Sequence, residues 1–229
     1  MINFKNIKLV VFDMAGTTIN EQNIVYKILQ KAINNKGLNV SLEDVLKKGA
    51  GKEKFQAIRD ILDFIQDETL NNEILKEIFN DFQELLDEAY EDLEVKTFEG
   101  VVELFELLRA KNIKITLNTG YNSRVATMLL DKLDWYATED YDLLITANDV
   151  VNSRPNPEMI ENARNYFSIT KPAQVLKAGD TAIDIEEGKN ANCGITVGVL
   201  SGAQTKEQLK SANPDLILSS LKDLIPYFK

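Results

Sequence analysis

The sequence predicts a doubly wound α/β fold, a Rossmann-like parallel sheet interrupted after its first strand by an all-helical insertion. Three observations predict it. Short runs rich in β-branched residues alternate with helical patterns from about residue 97 onward, the signature of parallel βαβ units with right-handed crossovers. Residues 7–13 add one more strand of the same buried kind. Between the two lie about eighty residues with almost no strand signal and with apolar positions at helical spacing.

In chain order, IKLVVFD (7–13) is a continuous apolar run ending in an aspartate. IVYKILQKAI (24–33), FQAIRDILDFI (55–65) and EILKEIFNDFQELLDEAYEDL (73–93) carry helical stripes, and SLED (41–44) resembles a capping box. IKITLNT (113–119), YDLLITAND (141–149), QVLKAGD (174–180), GITVGVL (194–200) and DLILSS (215–220) read as strands. VVELFELLRAKN, NSRVATMLLDKL, PEMIENARNYF, IDIEEGKNA and TKEQLKS read as the helices around them. This divides the chain into a core of residues 1–17 and 96–229 and a helical cap of residues 18–95.

Composition narrows the function. The 229 residues are 44% hydrophobic, enough for a substantial core. A formal charge of -10 disfavours nucleic acid or an anionic membrane surface as partner. A single cysteine makes no internal disulfide, no apolar run approaches the roughly 20 residues of a membrane span, and MINFKNIKLVVFD lacks the pattern of a signal peptide. The expected location is cytoplasmic. With no histidine in the chain, Ser-His-Asp triads, Cys-His pairs and histidine-based zinc sites are excluded.

Ligands of open parallel sheets bind beyond the carboxyl ends of the strands. Asp13 and Thr119 end two predicted strands, a third leads to Arg154, and a fourth ends at Asp180 with Asp184 one helical turn on. Singly, these read as a cap, a β-branched strand residue or a loop cation. Four in succession, each after an apolar run, point to one crevice.

FDMAGTT, LNTG, SRPNP and GDTAID resemble, in order, the four motifs of the haloacid dehalogenase superfamily, and the helical insertion matches that superfamily's first cap type. The resemblance implies a hydrolase in which Asp13 attacks phosphorus to give an aspartyl-phosphate. It implies Mg²⁺ held by Asp13, the Ala15 carbonyl and Asp180, with Asp184 bound directly or one step removed. Thr119 and the Gly120 amide would hold phosphoryl oxygens, with Thr17 adding a hydroxyl. Arg154 would neutralise phosphoryl charge, a role usually given to lysine.

Most phosphatases of that superfamily carry a second aspartate where this chain has Ala15, a general acid worth about 10² to 10⁴ in rate. Its absence suggests a leaving group that needs no proton on oxygen. DMAGTT, NTGYNSR with Tyr121, and the arginine of SRPNP resemble the phosphonoacetaldehyde hydrolases, whose cap lysine forms an imine with the substrate aldehyde. GKEKFQAIRDIL (51–62) resembles their specificity loop, with Gly51, Lys54 and Arg59 at its glycine, lysine and arginine. If KEKFQAIRDILDFI is one helix, Lys54 falls about 40° from the centre of the apolar stripe and Glu53 points away. Such a lysine in the first turn has its ammonium form disfavoured. The alternatives are a snorkelling lysine and a cation that binds a distal anionic group. The histidine that the family carries three residues on is Ala57, leaving Tyr121 or water as proton carrier.

Cys193 reads as a small buried side chain, Trp135 and Tyr136 as packing at a helix end, and DEAYEDLE (87–94) as a solvated face. The implied substrate is a small phosphonate such as phosphonoacetaldehyde. A phosphomonoester phosphatase of the phosphoglycolate kind and a non-catalytic phospho-ligand binding protein are the alternatives. The apolar cap helices offer a surface for a homodimer.

Overall fold

The structure is a computed structural model describing residues 3–65, 71–91 and 93–229. The chain runs β1 (Leu9–Asp13), β2 (Ile19–Asn20), α1 (Ile24–Asn34), α2 (Leu42–Gly49), α3 (Lys54–Ile65), α4 (Asn72–Glu91) and β3 (Lys96–Thr97). It continues through α5 (Val101–Ala110), β4 (Lys114–Asn118), α6 (Ser123–Asp131), β5 (Leu143–Ile145), α7 (Glu158–Tyr166) and β6 (Val175–Gly179). The last elements are α8 (Ala182–Asn190), β7 (Ile195–Val199), α9 (Lys206–Ser211), β8 (Leu216–Leu218) and α10 (Ile225–Phe228).

Six strands form one parallel sheet in the order β5-β4-β1-β6-β7-β8. β1 is central and buried on both faces, which is why its sequence is a continuous apolar run. Val10 and Phe12 enter the larger core, where Phe12 stacks on Phe105 of α5 with ring centroids 5.7 Å apart. Leu9 and Val11 enter the opposite core with Met159, Ile160 and Ala163 of α7. From β1 the chain builds outward to β4 and β5 on one side, then to β6, β7 and β8 on the other. The carboxyl end of β1 is therefore the switch point, flanked by the ends of β4 and β6.

The four helices between β2 and β3 pack on one another through the predicted stripes. α1 buries Val25, Tyr26, Ile28, Leu29, Ala32 and Ile33; α4 buries Leu75, Ile78, Phe82, Leu86 and Tyr90. The chain leaves and re-enters the core through β2 and β3, an antiparallel ribbon pairing Ile19 with Thr97 and Asn20 with Lys96. Two-residue strands are too short to carry a period-two signal. Ser41 caps α2, accepting from the Asp44 amide at 3.0 Å, but the Asp44 carboxylate takes the Ser41 hydroxyl rather than its backbone N–H. Residues 66–70, inside the predicted cap, and Asp92, in the predicted acidic run, lie outside the described residues. Among the described residues no helix is long and apolar enough to cross a membrane.

The loop between α2 and α3 reaches the sheet. Gly51 has φ +77°, and a Cβ there would lie 2.6 Å from Thr181 Oγ1 and 3.2 Å from Ile183 Cβ, so only glycine allows this approach. Its N–H donates to the Tyr26 hydroxyl at 3.1 Å and its carbonyl accepts from Arg154 Nη2 at 3.3 Å. Gly51→Ala is expected to cost about 1–2 kcal/mol from the left-handed backbone alone. The melting midpoint should fall by several degrees, with loss of amide exchange protection confined to the 49–53 loop; unchanged protection there would refute the contact.

Candidate active site

The ends of three adjacent strands bring Asp13, Thr119 and Asp180 together. A narrow cavity beyond them is lined by Asp13, Ala15, Thr119, Gly120, Tyr121, Arg154, Asp180 and Asp184 from the sheet side, and by Gly51 and Lys54 from the helical side. Tyr26 and Thr181 complete it. Ten of the residues singled out in the sequence therefore share one cavity. Thr17, fully buried just after β1, is not among the residues that line the cavity, and its hydroxyl lacks a partner among the described residues.

Arg154 ties the acidic groups together. Its Nη1 donates to Asp13 Oδ1 and to Asp184 Oδ1, each at 2.7 Å, and all three side chains are at most 7% exposed. Asp184 Oδ1 also meets Lys177 Nζ at 3.0 Å, and its Oδ2 accepts from the Thr181 hydroxyl at 2.5 Å. Asp180 Oδ2 accepts from the Ala203 amide at 2.6 Å. Gly16 and Gly202 border Asp180 where any Cβ would collide with its carboxylate, and Gly179 stands the same way to Asp184.

The electrostatics separate the three carboxyls. Burial, then the Asp184 charge, pushes Asp13 up to about 6 against the opposing pull of Arg154 and Lys177. Asp180 is held well above the ordinary carboxylate range by burial and by the charges of Asp13 and Asp184. Burial also acts to raise Asp184, but Lys177 and Arg154 outweigh it and hold that carboxyl low. One oxygen from each of the three lies within 4.8 Å of the others. An all-oxygen donor set with two strained carboxylates suits a hard divalent cation. Asp13 Oδ2 accepts no hydrogen bond among the described residues, whereas both oxygens of Asp184 are engaged.

Lys54 opens α3. The helix starts there rather than at Lys52, because the Glu53 carboxylate accepts from the Phe55 and Gln56 amides at 2.9 and 3.0 Å and so caps it. The Lys54 side chain turns inward, its Nζ donating to the Lys52 carbonyl at 2.8 Å, between the rings of Tyr26 (5.1 Å to the centroid) and Tyr121 (5.5 Å). Burial and the Arg154 charge bring its pKa down to about 8, although Glu53, Asp13 and Glu21 pull the other way. Ala57 is fully buried and faces Gly49 of α2, whose Cβ, were there one, would sit 3.2 Å from its methyl.

Arg59 does not join the site. It is exposed, lies over the Phe55 ring at 5.6 Å, and borders a separate depression with Leu62 and Leu75. Cys193 is half-buried rather than buried, and its thiol is pushed up to about 12 by the surrounding protein. Trp135 is buried against Phe105, whereas Tyr136 is half exposed.

Beneath the cavity lies a network that the sequence reading missed. Lys177 of β6 donates to Asn118 Oδ1 at 2.6 Å and meets Glu187 Oε2 at 3.2 Å, and Asn118 Nδ2 donates to both Glu187 oxygens at 2.9 and 3.0 Å. Lys177, Asn118 and Glu187 are fully buried. Burial alone would lower Lys177, but Asp184 and Glu187 raise it, so it stays a cation. A lysine inside an otherwise apolar strand was the available signal, since such a group requires a charged partner. Lys177→Met strands those carboxylates and should cost about 3–5 kcal/mol in a denaturant titration. The double variant Lys177→Met/Glu187→Leu should recover at least half of that loss; no recovery would mean that the two do not act as a pair.

A family profile of haloacid dehalogenase-like hydrolases matches residues 10–198. A phosphonoacetaldehyde hydrolase of Bacillus mycoides (strain KBAB4) is 29% identical over 225 residues, covering 91% of this chain and 83% of that protein. The pyrophosphatase PpaX of Anoxybacillus flavithermus is 30% identical over 223 residues, covering 96% of each. Among solved structures, a phosphonoacetaldehyde hydrolase-like protein from Oleispira antarctica superposes with a TM-score of 0.84 at 22% identity, over all of this chain and 93% of that one. The profile spans the carboxyl end of β1, the helical insertion and every strand end that lines the cavity, and on that match the chain belongs to the haloacid dehalogenase-like hydrolase family.

Proposed function

We propose that this hydrolase is Mg²⁺-dependent and cleaves the carbon–phosphorus bond of a small aldehyde phosphonate such as phosphonoacetaldehyde. Residues 18–95 act as a cap over a core of residues 1–17 and 96–229. One observation carries this reading. A buried lysine of weakened basicity shares a narrow cavity with a buried aspartate that has alanine, not a second acid, two positions on.

Asp13, the Ala15 carbonyl and Asp180 would hold the Mg²⁺, which would supply neutralisation of the phosphoryl charge. Asp184, its oxygens already engaged, holds Arg154 in place. Thr119, the Gly120 amide and the free Thr17 hydroxyl bind phosphoryl oxygens. Lys54 attacks the aldehyde and loses water to give an iminium. Burial keeps the Tyr26 and Tyr121 phenols protonated, so Tyr121 serves as donor where Ala57, turned toward Gly49, offers nothing. An Asp13 oxygen then bonds phosphorus as the carbon–phosphorus bond breaks, and the electron pair moves to the iminium nitrogen, leaving an enamine. Water releases phosphate from Asp13. Protonation at carbon and hydrolysis of the resulting iminium release acetaldehyde and restore Lys54. No oxygen leaving group forms, so no acid is required at position 15. Hydrolysis of a P–O bond, in a phosphomonoester or an anhydride, at the same site is the second reading, favoured by the similarity to the pyrophosphatase.

Borohydride with phosphonoacetaldehyde is expected to add a two-carbon label on Lys54 and to stop turnover. With a pKa of about 8, the neutral amine rises from about a tenth at pH 7 to about nine-tenths at pH 9, so labelling should climb roughly tenfold and then level off. Absence of label on Lys54, or full activity of Lys54→Ala, would sink the imine.

Asp180→Asn removes a charge that nothing in the metal-free site balances, so it should raise the melting point of chelator-treated protein while abolishing the response to Mg²⁺. In the unmodified protein, Mg²⁺ at a hundredfold excess over its dissociation constant should add about 2.7 kcal/mol, some 5–10 °C for a chain of this size. That gain should grow as pH rises through about 6, where Asp13 gives up the competing proton. A pH-independent gain, or one kept in Asp180→Asn, would place the ion elsewhere.

A further inference from the structure

A second and larger space adjoins the narrow cavity. It measures about 310 Å³ and is bordered by α1 and α4 of the cap and by α6 and the loop after β5 of the core. Lys54, Gly120 and Tyr121 line both spaces. The lysine therefore stands at their junction, with the acidic cluster on one side and this chamber on the other.

The chamber's chemistry differs from that of the cavity. Its apolar walls are Val25, Phe82, Leu86 and Val125, all buried, with Phe79 half-buried beside them, and the amides of Gln83, Asn122 and Asn148 also border it. The charges at its rim are already matched: Arg124 pairs with Asp87, and the Glu53 carboxylate is taken up by two backbone amides. Among the described residues the cations that line it are Lys54 and Arg124, the latter already paired with Asp87. Its volume falls at the lower end of small-molecule sites, and the two-carbon skeleton of phosphonoacetaldehyde would leave most of it unfilled.

We propose that this chamber is a subsite for the organic part of the substrate and that it takes an uncharged, apolar substituent several carbons long. The inference rests on the phosphoryl site proposed above and names its substrate class as 2-oxoalkyl phosphonates, in which an alkyl or aryl group replaces the aldehyde hydrogen. The chemistry balances as before. Lys54 and the ketone lose water to form a ketiminium, and the electron pair of the carbon–phosphorus bond moves to its nitrogen as Asp13 takes the phosphoryl group. Hydrolysis then yields phosphate and a methyl ketone. The substituent is carried past Lys54 onto Phe82, Leu86 and Val125, where each buried methylene strengthens binding about fourfold.

Simple alkylphosphonates lack the carbonyl and are not cleaved, so they report the subsite apart from the reaction. Calorimetry with Mg²⁺ present should show hexylphosphonate binding at least tenfold tighter than methylphosphonate. That ratio should collapse toward one in Val125→Phe, which fills the chamber, and shrink in the milder Phe79→Ala, which thins its wall. If methylphosphonate binds and hexylphosphonate binds no tighter, the subsite is refuted while the phosphoryl site stands. A chain-length gain that survives both variants places the alkyl group elsewhere and refutes it equally. If neither alkylphosphonates nor inorganic phosphate bind, the phosphoryl site fails and this inference with it. Phosphate release then decides the class: 2-oxohexylphosphonate should exceed phosphonoacetaldehyde at least tenfold in kcat/KM. Cleavage of the shorter compound alone overturns the class assignment.

Discussion

Four carboxylates, those of Asp13, Asp180, Asp184 and Glu187, are buried around the end of β1, with Arg154 and Lys177 paired among them and the weakened amine of Lys54 across the cavity. Full ionisation leaves negative charge in excess, a state that a low-dielectric interior tolerates only by shifting protons or admitting a cation. Burial and mutual repulsion accordingly push Asp13 and Asp180 upward. The glycines follow from the same constraint. Positions 16, 179 and 202 are bare because carboxylate oxygens fill the volume a Cβ would need.

The two cations divide this work. Lys177 and Arg154 together keep Asp184 ionised, and Asp184 in turn aims Arg154 at Asp13. The order Glu187, Lys177, Asp184, Arg154, Asp13 alternates in sign from the interior to the cavity. An arrangement of this kind fixes rotamers more than it adds stability, since replacing buried ion pairs by apolar groups is often neutral.

Much of this was legible in the sequence. A strand buried on both faces reads as an unbroken apolar run, and a polar residue ending such a run lies at the sheet's carboxyl edge, which located Asp13, Thr119 and Asp180. Pairing across the sheet was harder to read. Lys177, Asn118 and Glu187 meet only because β4, β6 and α8 converge, and local pattern holds no record of that. Arg59 shows the opposite failure. A motif match carried it into the site, but five residues along a helix turn it about 140° from Lys54, onto the solvent side. Helical geometry alone separated the two, and it outweighs the resemblance.

Arginine at position 154, where relatives of this superfamily commonly have lysine, bears on the amine across the cavity. Its pKa is driven upward by Asp184 and Asp13 against burial, so the guanidinium keeps its charge at every working pH. After burial, that charge is the largest influence lowering Lys54. One side chain thus orients the carboxylate proposed to attack phosphorus and weakens the base proposed to form the imine. A site that relied on a general acid at position 15 would have no use for the second effect. The pairing of Ala15 with Arg154 is therefore coherent as a unit, and it ties the missing acid to the weakened amine through electrostatics rather than through sequence proximity.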